Sequence, residues 1–118
     1  MTIQDQPAPK TTVVEIAGKV TIGYDAQMRD AILDATEAGA QNVLLRMNRV
    51  TKIDSSGIGE LAAAHLRIKK AGGRFILVGL SEKLAAPLVI ANLVGVLEMY
   101  SGVDEALTAL EEAQDTTT

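Results

Sequence analysis

Strand-like runs alternate with helix-like stretches along most of the chain, and this alternation limits the folds that the chain can adopt. The runs Thr11–Gly18, Asn42–Met47 and Arg74–Val78 are rich in β-branched and aliphatic residues, and the stretches between them have apolar residues at helical spacing. A helix between two strands is a crossover connection, which makes the neighbouring strands parallel. We therefore predict an α/β fold: a small mixed sheet of four to five strands flanked by about four helices.

Capping residues and glycines mark the ends of these elements. Asp25 is predicted to cap a helix that ends near Ala38, and Ser81 to cap a later helix that contains Pro87. Another helix, from about Ser56 to Ala71, ends at two consecutive glycines. The remaining predicted elements are a short edge strand near Thr2–Gln6, a last strand at Glu98–Tyr100 and an amphipathic helix over Val103–Ala113.

Composition excludes several kinds of site. The 118 residues are enough for one domain, which we place at residues 11–113, with residues 1–10 as a flexible lead or short edge strand and residues 114–118 as a tail. The absence of cysteine excludes thiolate zinc sites, and a single histidine excludes multi-histidine metal sites. We therefore expect no metal and no cofactor. A net charge of −4 argues against nucleic acid as a partner, because phosphate binding needs a basic face.

The sequence has no pattern typical of a secreted or membrane-inserted protein. The N-terminus lacks a charged segment followed by an apolar one. The least polar run, Leu84–Leu97, contains Pro87 and Asn92 and is shorter than the about 20 apolar residues that span a bilayer. We expect a soluble, cytoplasmic protein without membrane insertion. Part of this run, Leu84–Ala91, is either core or an exposed patch for a partner.

The stretch Ile53–Gly59, with the sequence Ile-Asp-Ser-Ser-Gly-Ile-Gly, joins a predicted strand to a predicted helix. Asp54, Ser55 and Ser56 are residue types whose oxygens accept hydrogen bonds from the free N–H groups of a first helical turn. Each glycine costs about 1 kcal/mol relative to alanine inside a helix. Two of them in one turn indicate that another group approaches closely or that the backbone has an unusual shape. Ser55 and Ser56 are then displayed at the start of the helix.

Two enzymatic interpretations of this stretch are weak. A serine hydrolase needs a base beside its nucleophile, but His65 lies ten positions after Ser55, about 15 Å along a helix. We expect His65 to be a packed residue with one hydrogen bond. The run Gly57–Ala62 fits the pattern G-x-G-x-x-G/A of dinucleotide-binding proteins, but Asp54 places a negative charge where a pyrophosphate would bind.

A third interpretation is that a serine hydroxyl receives a phosphate from another protein. A phosphoserine adds about −1.5 to −2 charges and three acceptor oxygens. The helix N-terminus would tolerate that charge, whereas a partner packed over the glycines would not. On the residues alone, this switch and a simple capping role for Asp54 and the serines are equally supported.

The segment Val50–Leu61 resembles the signature of the STAS domain of bacterial anti-sigma-factor antagonists, and the similarity extends from about Thr11 to Ala113. The resemblance implies a sheet flanked by helices and no catalytic activity. It also implies a partner, an anti-sigma factor with serine kinase activity, which is bound while Ser55 is unphosphorylated so that a sigma factor is released. Phosphorylation of Ser55 would end the binding, and a metal-dependent phosphoserine phosphatase would reverse it. The implied contact loop comprises Asp54, Ser55, Ser56, Gly57, Ile58 and Gly59.

One segment departs from the family pattern. Members often have Gly-Glu/Asp-Leu-Asp after the first long strand, whereas this chain has Gly18-Lys19-Val20-Thr21, so that lysine and threonine replace two acids. If those acids contact the partner, the partner or its affinity differs here. The alternative function is an unmodified STAS subunit of a larger complex for stress sensing or lipid transport. A nucleotide-binding protein is the third alternative and agrees least with the sequence.

Overall fold

The computed structural model describes residues 2–5, 11–90 and 96–116, and these form one five-stranded sheet and four helices. The strands are β1 (Thr2–Asp5), β2 (Thr11–Val20), β3 (Asn42–Ile53), β4 (Phe75–Val78) and β5 (Glu98–Tyr100), and the helices are α1 (Asp25–Glu37), α2 (Ser55–Lys70), α3 (Glu82–Ile90) and α4 (Val103–Thr116). The strands lie side by side in chain order; β1 pairs antiparallel with β2, and all other neighbours pair parallel. The predicted α/β fold with a mixed sheet is confirmed.

The helices cover the two faces of the sheet unequally. The helices α1, α2 and α3 pack on one face over the larger core cluster, and α4 packs on the other face over a smaller one. Side chains alternate between the faces along each strand, so that Leu45 belongs to the larger cluster and Leu44 to the smaller. All four residues of β4 are buried, as predicted for a strand covered on both sides.

The strand β3 is longer than predicted, because it continues from Met47 to Ile53. β1 pairs with β2 only as far as Glu15, and β4 pairs with β3 only as far as Arg46. The ends of β2 and β3 therefore pair only with each other and extend the sheet as a two-stranded parallel segment. We call this segment, residues 17–20 and 49–53, the ribbon.

Polar residues in the ribbon explain why its length was underestimated. Val50 and Ile53 are buried in the larger core cluster, while Thr51 and Lys52 between them are exposed. A half-buried strand of this kind has too few apolar residues to be distinguished from a loop. Gly18, the last residue of the predicted run Thr11–Gly18, has a φ of +83° and lies at a shift of register, and β2 continues past it to Val20.

Three predicted helix ends differ from the structure. The prediction that Asp25 caps α1 is wrong: Tyr24 occupies the cap position without a side-chain bond, and the carbonyl oxygen of Thr21 accepts from the N–H groups of Tyr24 and Asp25. The helix α2 begins at Ser55, one residue earlier than predicted, because Asp54 is the capping residue. The last helix continues to Thr116, past its predicted end at Ala113.

Two further predictions concern side chains on the helices. In the part of the chain that the structure describes, the buried Nδ1 atom of His65 has no hydrogen-bond partner, so the predicted bond is not found there. Leu84 and Leu88 are buried and Ala86 is exposed, which makes the start of the run Leu84–Ala91 mainly core; its side chains from residue 89 onward lie outside the described part. None of the described helices is long and apolar enough to cross a membrane.

Candidate functional site

Asp54 fixes the start of α2 with both oxygens of its carboxylate. Its Oδ1 atom accepts hydrogen bonds from the backbone N–H groups of Ser56 (3.0 Å) and Gly57 (3.2 Å). Its Oδ2 atom accepts from the backbone N–H of Ile22 at 3.0 Å. Asp54 therefore caps the helix and also joins it to the loop between β2 and α1, which lies 32 residues away in the chain.

These hydrogen bonds determine the charge of the site. They lower the pKa of Asp54 below its usual value, with the bond from the Ile22 N–H as the largest cause and partial desolvation opposing it. The carboxylate is therefore ionised at neutral pH, and it lies at the positive end of the α2 dipole. Any anion added to the first turn of α2 meets this fixed negative charge.

The two serines that follow Asp54 differ in availability. Ser55 is exposed, and within the described residues its hydroxyl makes no hydrogen bond. Ser56 is half-buried, and its hydroxyl donates to the Oδ2 atom of Asp25 at 2.8 Å. The expectation that both hydroxyls are displayed is therefore correct for Ser55 only, because Ser56 is bound to the first residue of α1.

The two glycines of the first turn also differ. A Cβ atom on Gly57 would lie 2.2 Å from the carbonyl oxygen of Val20 and 2.9 Å from the Cγ1 atom of Ile53, so that only glycine fits there. A Cβ atom on Gly59 would meet nothing within 4 Å. The predicted close approach is confirmed at Gly57, and the approaching group is the end of the chain's own β2. Ile58, between the glycines, is half-buried against the larger core cluster.

The loop between β2 and α1 places apolar side chains beside this helix start. Ile22 is 78% exposed and Tyr24 is 53% exposed. The amine of Lys19 lies 5.7 Å from the centre of the Tyr24 ring, within the range of a cation–π contact. Thr21 is buried, so that of the two residues that replace the acids of the family pattern only Lys19 reaches the surface.

Sequence reasoning missed the long-range partners of the site. The Ile22 N–H, the Val20 carbonyl and the Asp25 carboxylate all belong to the chain before the serine stretch and contact it only in the folded protein. The cost of a glycine in a helix indicated a close approach at Gly57 but not which group approaches. In the described ranges, no three His, Cys, Asp or Glu side chains come close enough to hold a metal ion.

Comparisons with known proteins show the family to which the chain belongs. The chain matches the STAS domain family over residues 2–106. The anti-sigma-B factor antagonist of Bacillus subtilis strain 168 is 28% identical over 86 residues, which cover 73% of this chain and 78% of that relative.

Solved structures show the same fold. A crystal structure of a Thermotoga maritima protein has a TM-score of 0.84 and 21% identity, and the match covers 93% of each chain. The phosphorylated form of SpoIIAA, a cell fate determinant of Bacillus, has a TM-score of 0.67 and 22% identity over 92% of this chain and 99% of its own. Because the family match spans most of its length, the chain belongs to the STAS domain family.

Proposed function

We propose that this protein is an anti-sigma-factor antagonist whose binding to an anti-sigma serine kinase is controlled by phosphorylation of Ser55. One observation carries the proposal: Ser55 is exposed at the start of α2, and its hydroxyl is left free because Asp54 performs the capping. The unphosphorylated protein binds the kinase in the cytoplasm, and a sigma factor is released. Phosphate on Ser55 ends this binding, and a metal-dependent phosphoserine phosphatase restores it.

The local electrostatics explain why a phosphate would act on the partner rather than on the fold. A phosphoserine carries about −1.5 to −2 charges at pH 7. The N-terminus of a helix favours negative charge, but the carboxylate of Asp54 already accepts the N–H groups of Ser56 and Gly57. A phosphate on the exposed Ser55 therefore projects toward solvent, where it adds like charge to the docking surface.

The residues of the proposed contact loop have different tasks in this mechanism. Ser55 and Gly59 are exposed and lie where a partner would contact them. Ser56, Gly57 and Ile58 hold the loop in place through the bond to the α1 carboxylate, the close approach of β2 and the core contact. Asp54 supplies both the cap and the fixed negative charge.

The names of two similar proteins support the proposal. One relative is an anti-sigma-B factor antagonist, and SpoIIAA, which has the same fold, has a phosphorylated form. A partner that is an anti-sigma factor fits both.

Mass spectrometry tests the phosphorylation step. The protein is incubated with ATP, Mg²⁺ and each anti-sigma kinase of its source organism, and the modified residue is identified. We expect phosphate on Ser55 and none on Ser81, an exposed serine at the start of another helix, which serves as the internal control. Modification of Ser81 instead of Ser55 would contradict the proposal.

Binding measurements test the switch itself. We expect Ser55→Ala to bind the kinase persistently in the presence of ATP, and Ser55→Asp to bind at least about tenfold more weakly, which corresponds to about 1.4 kcal/mol. Ser81→Ala and Ser81→Asp are the matched controls and should bind like the unmodified protein. If both Ser55 variants also bind like the unmodified protein, phosphorylation does not control the interaction.

A second candidate function is a STAS subunit of a larger stress-sensing or lipid-transport complex, in which Ser55 is never modified. The exposed Lys19 favours it, because the family pattern has an acid at this position. Co-purification from the native cell separates the two functions. A kinase as the bound partner supports the switch, and a multi-subunit assembly that contains no kinase supports the second function.

A further inference from the structure

The ribbon has one face on the core and one face in solvent. Val20, Val50 and Ile53 are buried in the cluster beneath α1, α2 and α3. Val50 and Ile53 both face the cluster although they are three residues apart, because a shift of register interrupts the alternation between them, and the exposed residues beside the buried ones form the outer face. The exposed cationic side chains on the outer face are those of Lys19, Arg49 and Lys52.

The strand register places these cations in a row. Lys19 lies directly opposite Lys52, and Arg49 lies opposite Ala17, which has no charge. Further back along the same face, Arg46 lies opposite Glu15 and forms an ion pair with it at 3.5 Å. From Arg46 to Lys52 the row spans about 20 Å, at about 3.3 Å per residue.

Only the inner end of this row is neutralised by the chain itself. Among the residues with described side chains, Arg49 and Lys52 have no carboxylate within 4.0 Å, and the contact of Lys19 is with the ring of Tyr24. We call Lys19, Arg49 and Lys52 the basic row. Three cations without acidic partners are therefore gathered on one face of a chain whose net charge is −4.

The basic row is unfavourable for the isolated protein. Like charges directly opposite each other on neighbouring strands destabilise a sheet, and Lys19 faces Lys52 in this way. An acid at either position would remove the repulsion. An acidic surface on a second protein would also neutralise this repulsion. The relief of the repulsion would then strengthen the binding of that protein.

We propose that the basic row is the docking surface for an acidic patch on the same partner that contacts Ser55. This inference rests on the proposed function and adds the charge of the partner's surface. The two sites are continuous, because Lys52 lies two residues before Asp54 and Lys19 contacts Tyr24 in the loop that bonds to Asp54. A protein that covers Ser55 therefore reaches the end of the basic row.

The charge of the whole chain favours an acidic protein over nucleic acid or lipid as the occupant. Nucleic-acid binding is governed by phosphate contacts over an extended basic surface, whereas three cations here stand on a molecule of net charge −4. Attraction to an anionic membrane likewise requires a cluster of about four to eight basic residues. An acidic patch of similar size on a protein requires only the three local cations for attraction. The match between the two charged patches also makes the binding specific for one partner.

Polyglutamate is the probe for this surface in the absence of the kinase. The full chain is titrated with poly-L-glutamate at about 20 mM salt and again at about 150 mM, where charges are screened beyond about 8 Å. We expect binding at low salt that weakens at least tenfold at the higher salt. The triple variant Lys19→Glu/Arg49→Glu/Lys52→Glu should bind at least tenfold more weakly than the unmodified protein.

A matched variant separates position from net charge. Lys69→Glu/Lys70→Glu/Lys83→Glu alters three other exposed lysines, so that both triple variants change the net charge from −4 to −10. We expect the loss of polyglutamate affinity in this control, on a logarithmic scale, to be less than about half the loss in the reversed basic row. The reason is that only nearby charges act strongly at 150 mM salt. Equal losses in the two variants overturn the inference. Tighter binding of duplex DNA or of anionic phosphatidylglycerol vesicles than of polyglutamate overturns the choice of an acidic protein.

The edge of the ribbon gives the basic row an alternative role. Charged side chains near an unpaired strand edge keep it from pairing with another chain. Glutamates fulfil that role as well as lysines do, so a purely protective row predicts that the reversed variant loses no more polyglutamate affinity than the control Lys69→Glu/Lys70→Glu/Lys83→Glu. If the reversed variant unfolds, Lys19→Gln/Arg49→Gln/Lys52→Gln replaces it, with an expected loss of about threefold to tenfold in affinity.

Kinetics with the anti-sigma kinase distinguish failure of this inference from failure of the proposed function. We expect the reversed basic row to lower the association rate about tenfold or more and to change the dissociation rate much less, as charges at the rim of an interface do. Unchanged association together with normal phosphorylation of Ser55 overturns the basic row alone. Absence of kinase binding and of phosphate on Ser55 in the unmodified protein overturns the proposed function, and the polyglutamate titration still decides the charge of the ligand.

Discussion

The free N–H groups at the starts of α2 and α3 are capped in two different ways. Both helices follow parallel strands of the sheet, and both have a serine in or before the first turn. At α2 the carboxylate of Asp54 accepts the free N–H groups, and the neighbouring Ser55 is exposed with a free hydroxyl. At α3 the serine is the acceptor itself, because the N–H of Leu84 donates to the Oγ atom of Ser81 at 3.3 Å.

The comparison shows that a serine at a helix start is available for modification when another residue does the capping. A phosphate on Ser81 would have to replace a hydroxyl that already accepts a bond from the helix. A phosphate on Ser55 replaces no contact among the described residues, because the cap and the loop contact belong to Asp54. Five substitutions, each with its control or matched change, test this difference, from the largest expected effect to the smallest.

Gly57→Ala should disturb the start of α2 most. The added methyl group would lie 2.2 Å from the carbonyl oxygen of Val20, a backbone atom that cannot rotate away as the end of a side chain can. We expect the free energy of unfolding to fall by about 3 kcal/mol, at the upper end of the cost of overpacking, as measured by urea denaturation. Gly59→Ala is the control: with open space around it, it should raise the stability by up to about 1 kcal/mol. Equal effects of the two changes would contradict the close contact with β2.

Asp54→Ala should have the next largest effect, because it removes the acceptor of three backbone N–H groups. We expect a lower thermal midpoint at neutral pH and faster hydrogen exchange at the amides of Ile22, Ser56 and Gly57. Asp54→Asn keeps one acceptor oxygen and removes the charge, so it should lie between Asp54→Ala and the unmodified protein.

The effect of Asp54 should also depend on pH. Its pKa is lower in the folded protein than the ordinary value of 3.8, so its stabilising effect is fully present above 3.8 and is lost as the pH falls through the folded value. The difference in thermal midpoint between the unmodified protein and Asp54→Ala should therefore shrink in acid. A difference that grows as the pH falls would contradict the lowered pKa.

Ser56→Ala should have a moderate effect, because the hydroxyl of Ser56 donates to the carboxylate of Asp25. Loss of a half-buried bond to a charged group should lower the free energy of unfolding by about 1.5 kcal/mol. Asp25→Asn is the reciprocal change, and the double variant should lose less than the sum of the two single losses. Additive losses would show that the two side chains do not interact in solution.

Ser81→Ala and Ser55→Ala should have the smallest effects on stability. The difference between their free energies of unfolding directly compares a serine that caps a helix with one that does not. Ser81→Ala removes a cap and should cost about 0.5 to 1 kcal/mol of unfolding free energy. Ser55→Ala removes no hydrogen bond among the described residues and should stay within about 0.5 kcal/mol of the unmodified protein. A larger cost for Ser55→Ala would mean that its hydroxyl has a structural role.

Local sequence patterns predicted the elements whose position depends on a few consecutive residues. The apolar run of β4, the Ser81 cap and the two glycines that end α2 are all visible within a few residues. The ends of β2 and β3 could not be predicted in the same way. Their pairing depends on a partner strand about 30 residues away, and their solvent face is as polar as a loop.

The position of the candidate site in the sequence was predicted, but the separate contacts of its residues were not. The spacing of Asp54, Ser55 and Gly57 indicated a capped, closely packed helix start, and the structure agrees. The sequence could not show that Ser56 is bound to α1, because Asp25 was itself expected to be a cap. Distant contacts of this kind arise only when the crossover connection through α1 brings the ends of β2 and β3 together.

The unequal covering of the sheet has a consequence for how the protein opens. Among the described side chains, the cluster under α4 has six buried members, two of them from α4, whereas α1, α2 and α3 share one larger core. Partial unfolding proceeds through units with few buried contacts, so we expect α4 to detach before the core shared by α1, α2 and α3 opens. Its departure leaves the other three helices and the Ser55 turn assembled. A molecule that has lost its last helix therefore still displays the proposed contact surface, and we expect a truncated chain to compete with the complete one for the proposed partner.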